Sequence, residues 1–155
     1  MTQPSQFNGE KMTNETLQTQ WVADIAAMHT KFGVNDVIRN LDKEKLRKFL
    51  EFRINFLQEE LDEMKKAFAE GGENAADDTV DALIDLCVVA IGTLDAYDVN
   101  SYVAWNRVHG KNMEKEPGIK PGRPNPLGLP DLIKPEGWTP PTHTDNVGLL
   151  SKVFE

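Results

Sequence analysis

A chain of 155 residues and 17.4 kDa can bury one core but is too short for two well-formed domains. With 25 acidic residues against 17 basic ones, a net charge of −8 and a pI near 4.9, it lacks the basic footprint that binding a nucleic-acid backbone requires. No stretch approaches the roughly 20 apolar residues of a membrane span, and the polar N-terminus carries no signal-peptide pattern, so a cytoplasmic protein with no membrane partner is expected.

After an N-terminal extension of residues 1–15, helical periodicity sets in and continues to about residue 115. The first predicted helix runs from Thr16 to Lys31, with Thr13 or Asn14 as cap, Phe32-Gly33 as stop, and Trp21, Ile25 and Met28 as its apolar stripe. The second starts after Asp42, a good N-cap, and carries Leu46, Leu50, Ile54, Leu57, Leu61, Met64 and Phe68 at spacings of three and four before Gly71-Gly72 ends it. The third spans Ala76 to Tyr97, and its wide stripe of Val80, Leu83, Ile84, Cys87, Val88, Ile91 and Leu94 predicts central packing. Cys87, the one cysteine, is expected there as a buried thiol, and a reducing compartment suits it. A fourth helix follows from Asn100 or Ser101 to Asn112.

Short connections make consecutive helices antiparallel, so the expected fold is an all-α bundle of about four main helices, with the second and third packed as a hairpin. From residue 116 to 155 proline and glycine dominate, a composition expected to sustain neither helix nor strand ladder. Leu127, Leu129, Leu132, Ile133 and Trp138 would anchor this irregular tail on the bundle, where a solvated linker would need no such residues.

The charged positions are patterned as well. At 100° per residue with Leu57 as zero, Glu59, Glu60 and Glu63 fall at about 200°, 300° and 240°, one shared arc, and Phe52 and Phe56 project over it. On the third helix Asp78, Asp81 and Asp85 occupy a strip about 60° wide. Like charges at these spacings repel, Lys65 and Lys66 sit off the arc, and no basic residue occurs from Ala76 through Tyr97. A hard divalent cation, Mg2+ or its substitute Mn2+, would offset the repulsion and keep coordination positions open for phosphate oxygens and water. An acidic run on a single helix is usually just a solvated face; it is the second strip, on the facing helix, that makes a site.

Glu59-Glu60-Leu61-Asp62-Glu63 followed by Asp78-Thr79-Val80-Asp81 resembles the Glu-Glu-x-x-Glu and Glu-x-x-Asp signature of the all-α nucleotide pyrophosphohydrolases, which include the MazG, dimeric dUTPase and phosphoribosyl-ATP pyrophosphohydrolase-like groups. Ala82-Leu83-Ile84-Asp85, Ile91-Gly92-Thr93, Met28-His29-x-x-Phe32-Gly33, His109-x-x-Asn112-Met113-x-Lys115 and Pro135-Glu136-Gly137-Trp138-Thr139-Pro140-Pro141 are similar to further segments of that family. The likeness covers about Trp21 to Pro141; residues 1–15 and 142–155 match nothing. Asp78 stands where the family has glutamate, one methylene longer, and Asp85 either completes the metal shell or supports it.

The resemblance implies hydrolysis of a nucleoside triphosphate between its α and β phosphates, with metal held by Glu59, Glu60, Glu63, Asp78, Asp81 and Asp85. Glu59 or Glu60 would orient or deprotonate the attacking water. Asn112 and Lys115, with His109, carry over as substrate-binding residues; read without the family, they decorate a helix C-terminus. A homodimer or homotetramer is implied, and dGTP and dUTP are both compatible substrates. Trp21, Tyr102 and Trp105 can each stack a base or fill a core. His29 and His143 have no partner visible in sequence, Arg123 is a minor phosphate candidate, and no glycine-rich phosphate loop occurs. The rival readings are a non-catalytic helical oligomerisation module, or the same chemistry on phosphoribosyl-ATP or an alarmone.

Overall fold

A computed structural model describes residues 14–155 other than 124 and 129, so the expected N-terminal extension, the Thr13 cap and the Leu129 anchor lie essentially outside the described residues. The fold is all-α: α1 (Asn14–Phe32), α2 (Val34–Arg39), α3 (Lys43–Glu70), α4 (Ala75–Ala96), α5 (Ser101–Met113) and α6 (Leu150–Phe154), with a short β1 (Glu116–Gly118) and β2 (Asp131–Ile133).

The helix ends are set locally. Gly33 takes a left-handed conformation at φ 69° and turns the chain from α1 into α2, a six-residue helix that periodicity does not announce. The Asp42 carboxylate accepts from the Lys45 backbone N–H at 2.9 Å and caps α3, and Asn100 caps α5 in the same way through Val103 at 3.0 Å. Gly71 and Gly72, both at positive φ, end α3 and let α4 return beside it.

The α3/α4 hairpin is the spine of the molecule, and α1 lies along α4. On α4 the buried face is Ala82, Val89, Gly92 and Ala96, small residues that let the helices approach closely. The wide stripe expected to pack centrally is only partly covered: Val80, Leu83 and Ile84 are exposed, Val80 by 61%, whereas Cys87, Val88, Ile91 and Leu94 are half-buried. On α3 the packed arc is likewise rotated toward the glutamates. Leu46 and Ala67 are buried, whereas Ile54 and Phe68 are exposed, Phe68 by 90%. In α1 the stripe is corrected too, because Ile25 and His29 are buried while Trp21 and Met28 are exposed. Cys87 is only partly buried.

The hydrophobic core sits at one end of the hairpin, where Ile38, Leu46, Ala96, Tyr97, Val99 and Val153 meet. Tyr97 is fully buried, stacks at a tilt on Phe49 with centroids 5.7 Å apart, and donates its hydroxyl to the Leu46 carbonyl. The C-terminal residues close this end. Leu149 N–H donates to the Tyr97 carbonyl at 2.7 Å, Asn146 and Asn100 exchange two hydrogen bonds, and Val153 of α6 enters the core.

The tail is more regular than its composition predicts. Glu116–Gly118 pairs antiparallel with Asp131–Ile133, a three-residue ladder that tolerates Pro117 because so short a pairing needs few N–H donors. Of the expected anchors, Trp138 holds: its indole donates to the Lys111 carbonyl at 3.0 Å. Ile133 is partly buried against Gly118, but Leu127 and Leu132 are exposed.

Candidate functional site

About one and a half turns of α3 and as much of α4 gather five of the six predicted carboxylates, four of them acting on the fifth. Glu60 is half-buried on the packed side of α3, and its Oε2 is shut off from solvent with no hydrogen-bond partner. Burial pushes its carboxyl above the ordinary glutamate range, and the negative charges of Asp85, Glu63, Asp81 and Glu59 push it further in the same direction. Glu59, Glu63 and Asp81 are exposed and Asp85 half-buried, so the group lies along an open flank of the hairpin. Asp78 does not join the charges that act on Glu60. It lies exposed in the first turn of α4, where the helix dipole alone favours an acid.

Among the described residues no lysine or arginine pairs with any of these six carboxylates; Lys65 is engaged with Asp62 at 3.1 Å. Nor do three of the carboxylates close on one point as a preformed ion site. The donor set nevertheless fits a hard cation. The charges of four carboxylates act on a fifth whose orphaned oxygen lacks a donor, and three of those four are exposed.

Beside this group, Phe52 and Phe56 pack ring against ring at 4.4 Å, with Phe56 partly covered and Phe52 open. The two rings expected over the acidic arc thus pack against each other.

Arg53 is the residue that local sequence reasoning missed. From α3 its Nε donates to Thr93 Oγ1 and its Nη2 to the Val89 carbonyl, both at 2.9 Å, and its guanidinium lies 5.6 Å from the Phe56 ring centroid. Burial lowers its pKa. The fork clamps α3 to α4 two turns from Glu60 and so fixes the register of the carboxylates. A Cβ at Gly92 would press on Arg53 Nη2 at 3.0 Å and on His29 Nε2 at 3.4 Å, which explains the glycine in Ile91-Gly92-Thr93. His29 is buried and bonded through Nδ1 to Asp95 Oδ2 at 2.7 Å, and Asn35 donates to the same oxygen at 3.2 Å. The partners of Arg53 and His29 lie some 36 to 66 residues away in sequence, so no local pattern reports them.

The substrate-binding residues inferred at the end of α5 form a separate group. Lys115 donates to Asn112 Oδ1 at 2.8 Å, and its ammonium lies 5.2 Å from the Trp138 ring centroid, with Lys134 4.8 Å from the same centroid. His109 and Asn112 are exposed. Among the described residues no hydrogen bond or ion pair joins this group to the carboxylates of α3 and α4. Arg123, the minor phosphate candidate, is bound to Asp131 at 2.9 Å, and His143 is partly covered with Nδ1 unpartnered.

Compared with family models, with curated proteins and with solved structures, the chain matches none.

Proposed function

We propose that this chain is a Mg2+-dependent nucleotide pyrophosphohydrolase that cleaves a nucleoside triphosphate to a monophosphate and pyrophosphate. The observation that carries the reading is Glu60: a half-buried carboxyl with an orphaned oxygen, ringed by four like charges and by no paired cation among the described residues. A protein gains no stability from such an arrangement, whereas a site for a cation and a polyphosphate requires it.

Glu59, Glu63, Asp81 and Asp85 would hold the ion, with Asp78 one turn before Asp81 on α4. When bound, the ion would neutralise phosphate oxygens and acidify water. Glu60 holds its proton more tightly than an ordinary glutamate and is suited to accept one from the attacking water. The water oxygen bonds to phosphorus as the bridging P–O bond of the α–β anhydride breaks, and pyrophosphate leaves with the electron pair. Arg53 keeps the two helices in register throughout.

The outward apolar residues of the hairpin, Val80, Leu83, Ile54 and Phe68, support a homodimer or homotetramer, because such side chains gain most from burial against a second copy. In that assembly Asn112, Lys115 and His109 would serve the triphosphate bound by a neighbouring subunit. Turnover of a panel of nucleoside triphosphates tests the reading. Magnesium-dependent release of monophosphate and pyrophosphate in equal amounts, lost with chelator and in Glu63→Gln, is the expected result. A panel with no turnover would leave the helical interaction module as the reading.

A further inference from the structure

Beside the carboxylates, α1 and α4 form an open cleft of about 170 Å³ lined by Trp21, Asp24, Ile25, Ile84, Cys87, Val88 and Ile91. Its walls are apolar except for one carboxylate and one thiol. Its volume is of the order of the engineered apolar cavities of about 150 Å³ that bind benzene, and its open mouth leaves room for a larger planar ring. Trp21, 53% exposed at the mouth, offers an indole face on which such a ring can stack.

We propose that this cleft is the base subsite of the nucleotide and that Asp24 makes it selective for guanine. The inference rests on the proposed nucleotide chemistry and adds to it the identity of the base.

Three observations carry it. First, the cleft is contiguous with the acidic flank. Along α4, Asp81, Ile84 and Val88 lie within an arc of about 60°, and successive members are one helical turn apart, about 5 Å. A nucleoside lying along α4 would place its base in the cleft and its phosphates toward Asp81 and Asp85. Second, the charge has the right sign to orient the ligand, because Asp24 repels phosphate and leaves the uncharged end to enter. Third, the carboxylate is held and still open. Gln20 Nε2 donates to Asp24 Oδ1 at 2.7 Å, which steers the group, while no hydrogen bond occupies Oδ2 among the described residues.

An acceptor-only carboxylate discriminates between bases by their edges. Guanine presents N1–H and the N2 amino group side by side, two donors matched to two carboxylate oxygens. Uracil and thymine present one N–H flanked by two carbonyl oxygens, which a carboxylate repels, and cytosine and adenine offer a single amino group beside a ring acceptor. A site built around a hydrogen bond rejects analogues that leave it unpaired far more strongly than an apolar pocket rejects a change of shape.

Neutral nucleosides separate this claim from the reaction, because they neither need the ion nor undergo hydrolysis. In an amide NMR titration of the full chain, deoxyguanosine is expected to shift Asp24, Ile84, Cys87, Val88 and Ile91 and to bind at least tenfold more tightly than deoxyuridine. In Asp24→Asn, an exposed substitution checked for folding by circular dichroism, that preference is expected to vanish. Equal binding of the two nucleosides, shifts confined to other surfaces, or a preference that survives Asp24→Asn would overturn the proposal. Turnover decides the reaction independently: deoxyguanosine bound in the cleft with no triphosphate hydrolysed would sink the pyrophosphohydrolase reading alone. Hydrolysis without response at the cleft would sink the base subsite alone.

Discussion

The two ends of the α3/α4 hairpin are built on opposite principles. Where α3 begins and α4 finishes, Leu46, Tyr97 and Val153 are almost wholly removed from water, and even the Tyr97 hydroxyl has its acceptor. Toward the other end, Glu59, Glu60 and Glu63 oppose Asp81 and Asp85, and the one covered carboxyl oxygen has none. A single pair of helices therefore carries both the element that stabilises the chain and the element that strains it. The closed end, reinforced by α6 and by the Arg53 clamp between, allows the open end to keep like charges together without the helices splaying apart.

The largest effects should come from the closed end. Leu46→Ala is expected to destabilise the protein by about 2–5 kcal/mol in urea unfolding, the cost of a cavity in a fully packed site. A loss within a few tenths of a kcal/mol would show that this end is not the core that holds the hairpin. Gly148→Ala tests the contribution of the C-terminal segment. Gly148 has φ 50°, and a Cβ there would collide with the Tyr97 carbonyl and the Asp98 backbone, so α6 should be displaced and Val153 exposed. Faster proteolysis near residue 150 and a lowered Tm are the expected readouts.

Legibility in the sequence followed the same division, between what is local and what depends on distant contacts. The Asp42 cap, the Gly33 turn and the Gly71-Gly72 stop are decided by neighbours in the chain, and they appear where the sequence places them. The nearness of Glu60 to Asp81 and Asp85 across α3 and α4 is legible too, though not the separation of Asp78, because a short connection forces a hairpin and 100° per residue fixes each face. Periodicity reports that a stripe is apolar but not what covers it. For that reason the pattern alone puts Val80 and Leu83 in the interior, although in the single chain they are exposed. Residues 142–155 carry no periodic signal, yet they supply Val153 to the core, since docking a five-residue helix depends on the surface it meets rather than on its own pattern. Arg53 and His29 were opaque because each is defined by a partner on another helix.

At the open end the effect should change sign. Glu60→Gln removes the half-buried charge and its repulsion from four neighbours, so the metal-free protein should become more stable, with a raised Tm. The same change should abolish magnesium-dependent turnover. Scanning calorimetry with and without the ion reads both, and a variant that is less stable than wild type would show that Glu60 is a structural residue. Mixing addresses the separated substrate group. Neither Glu63→Gln nor Lys115→Ala should turn over alone, but their mixture, after subunit exchange, should regain up to about a quarter of wild-type activity if Lys115 serves a neighbouring subunit's carboxylates. A mixture as inactive as its components would place both groups in the service of one chain.

The smallest effect is the one that sets the two ends against each other most directly, through pH. Glu60 has its carboxyl raised, by burial first and then by its neighbours, so the folded state holds that proton more tightly than the unfolded chain does. Its contribution is therefore present below the ordinary glutamate pKa and is lost as pH rises through the raised value. Asp98 behaves in reverse. The Arg39 guanidinium donates to both its oxygens, at 3.1 and 2.8 Å, and holds it below the ordinary range, so its contribution is present at neutral pH and lost as pH falls through the lowered value. Because that pair is largely exposed, its share is the smaller one. The metal-free protein should accordingly gain stability on mild acidification before losing it in stronger acid. Glu60→Gln should flatten the first limb, and Arg39→Ala should shallow the second. Urea midpoints taken across the acidic range separate the limbs. Loss of both in a single variant would mean that the two ends do not act independently along the hairpin.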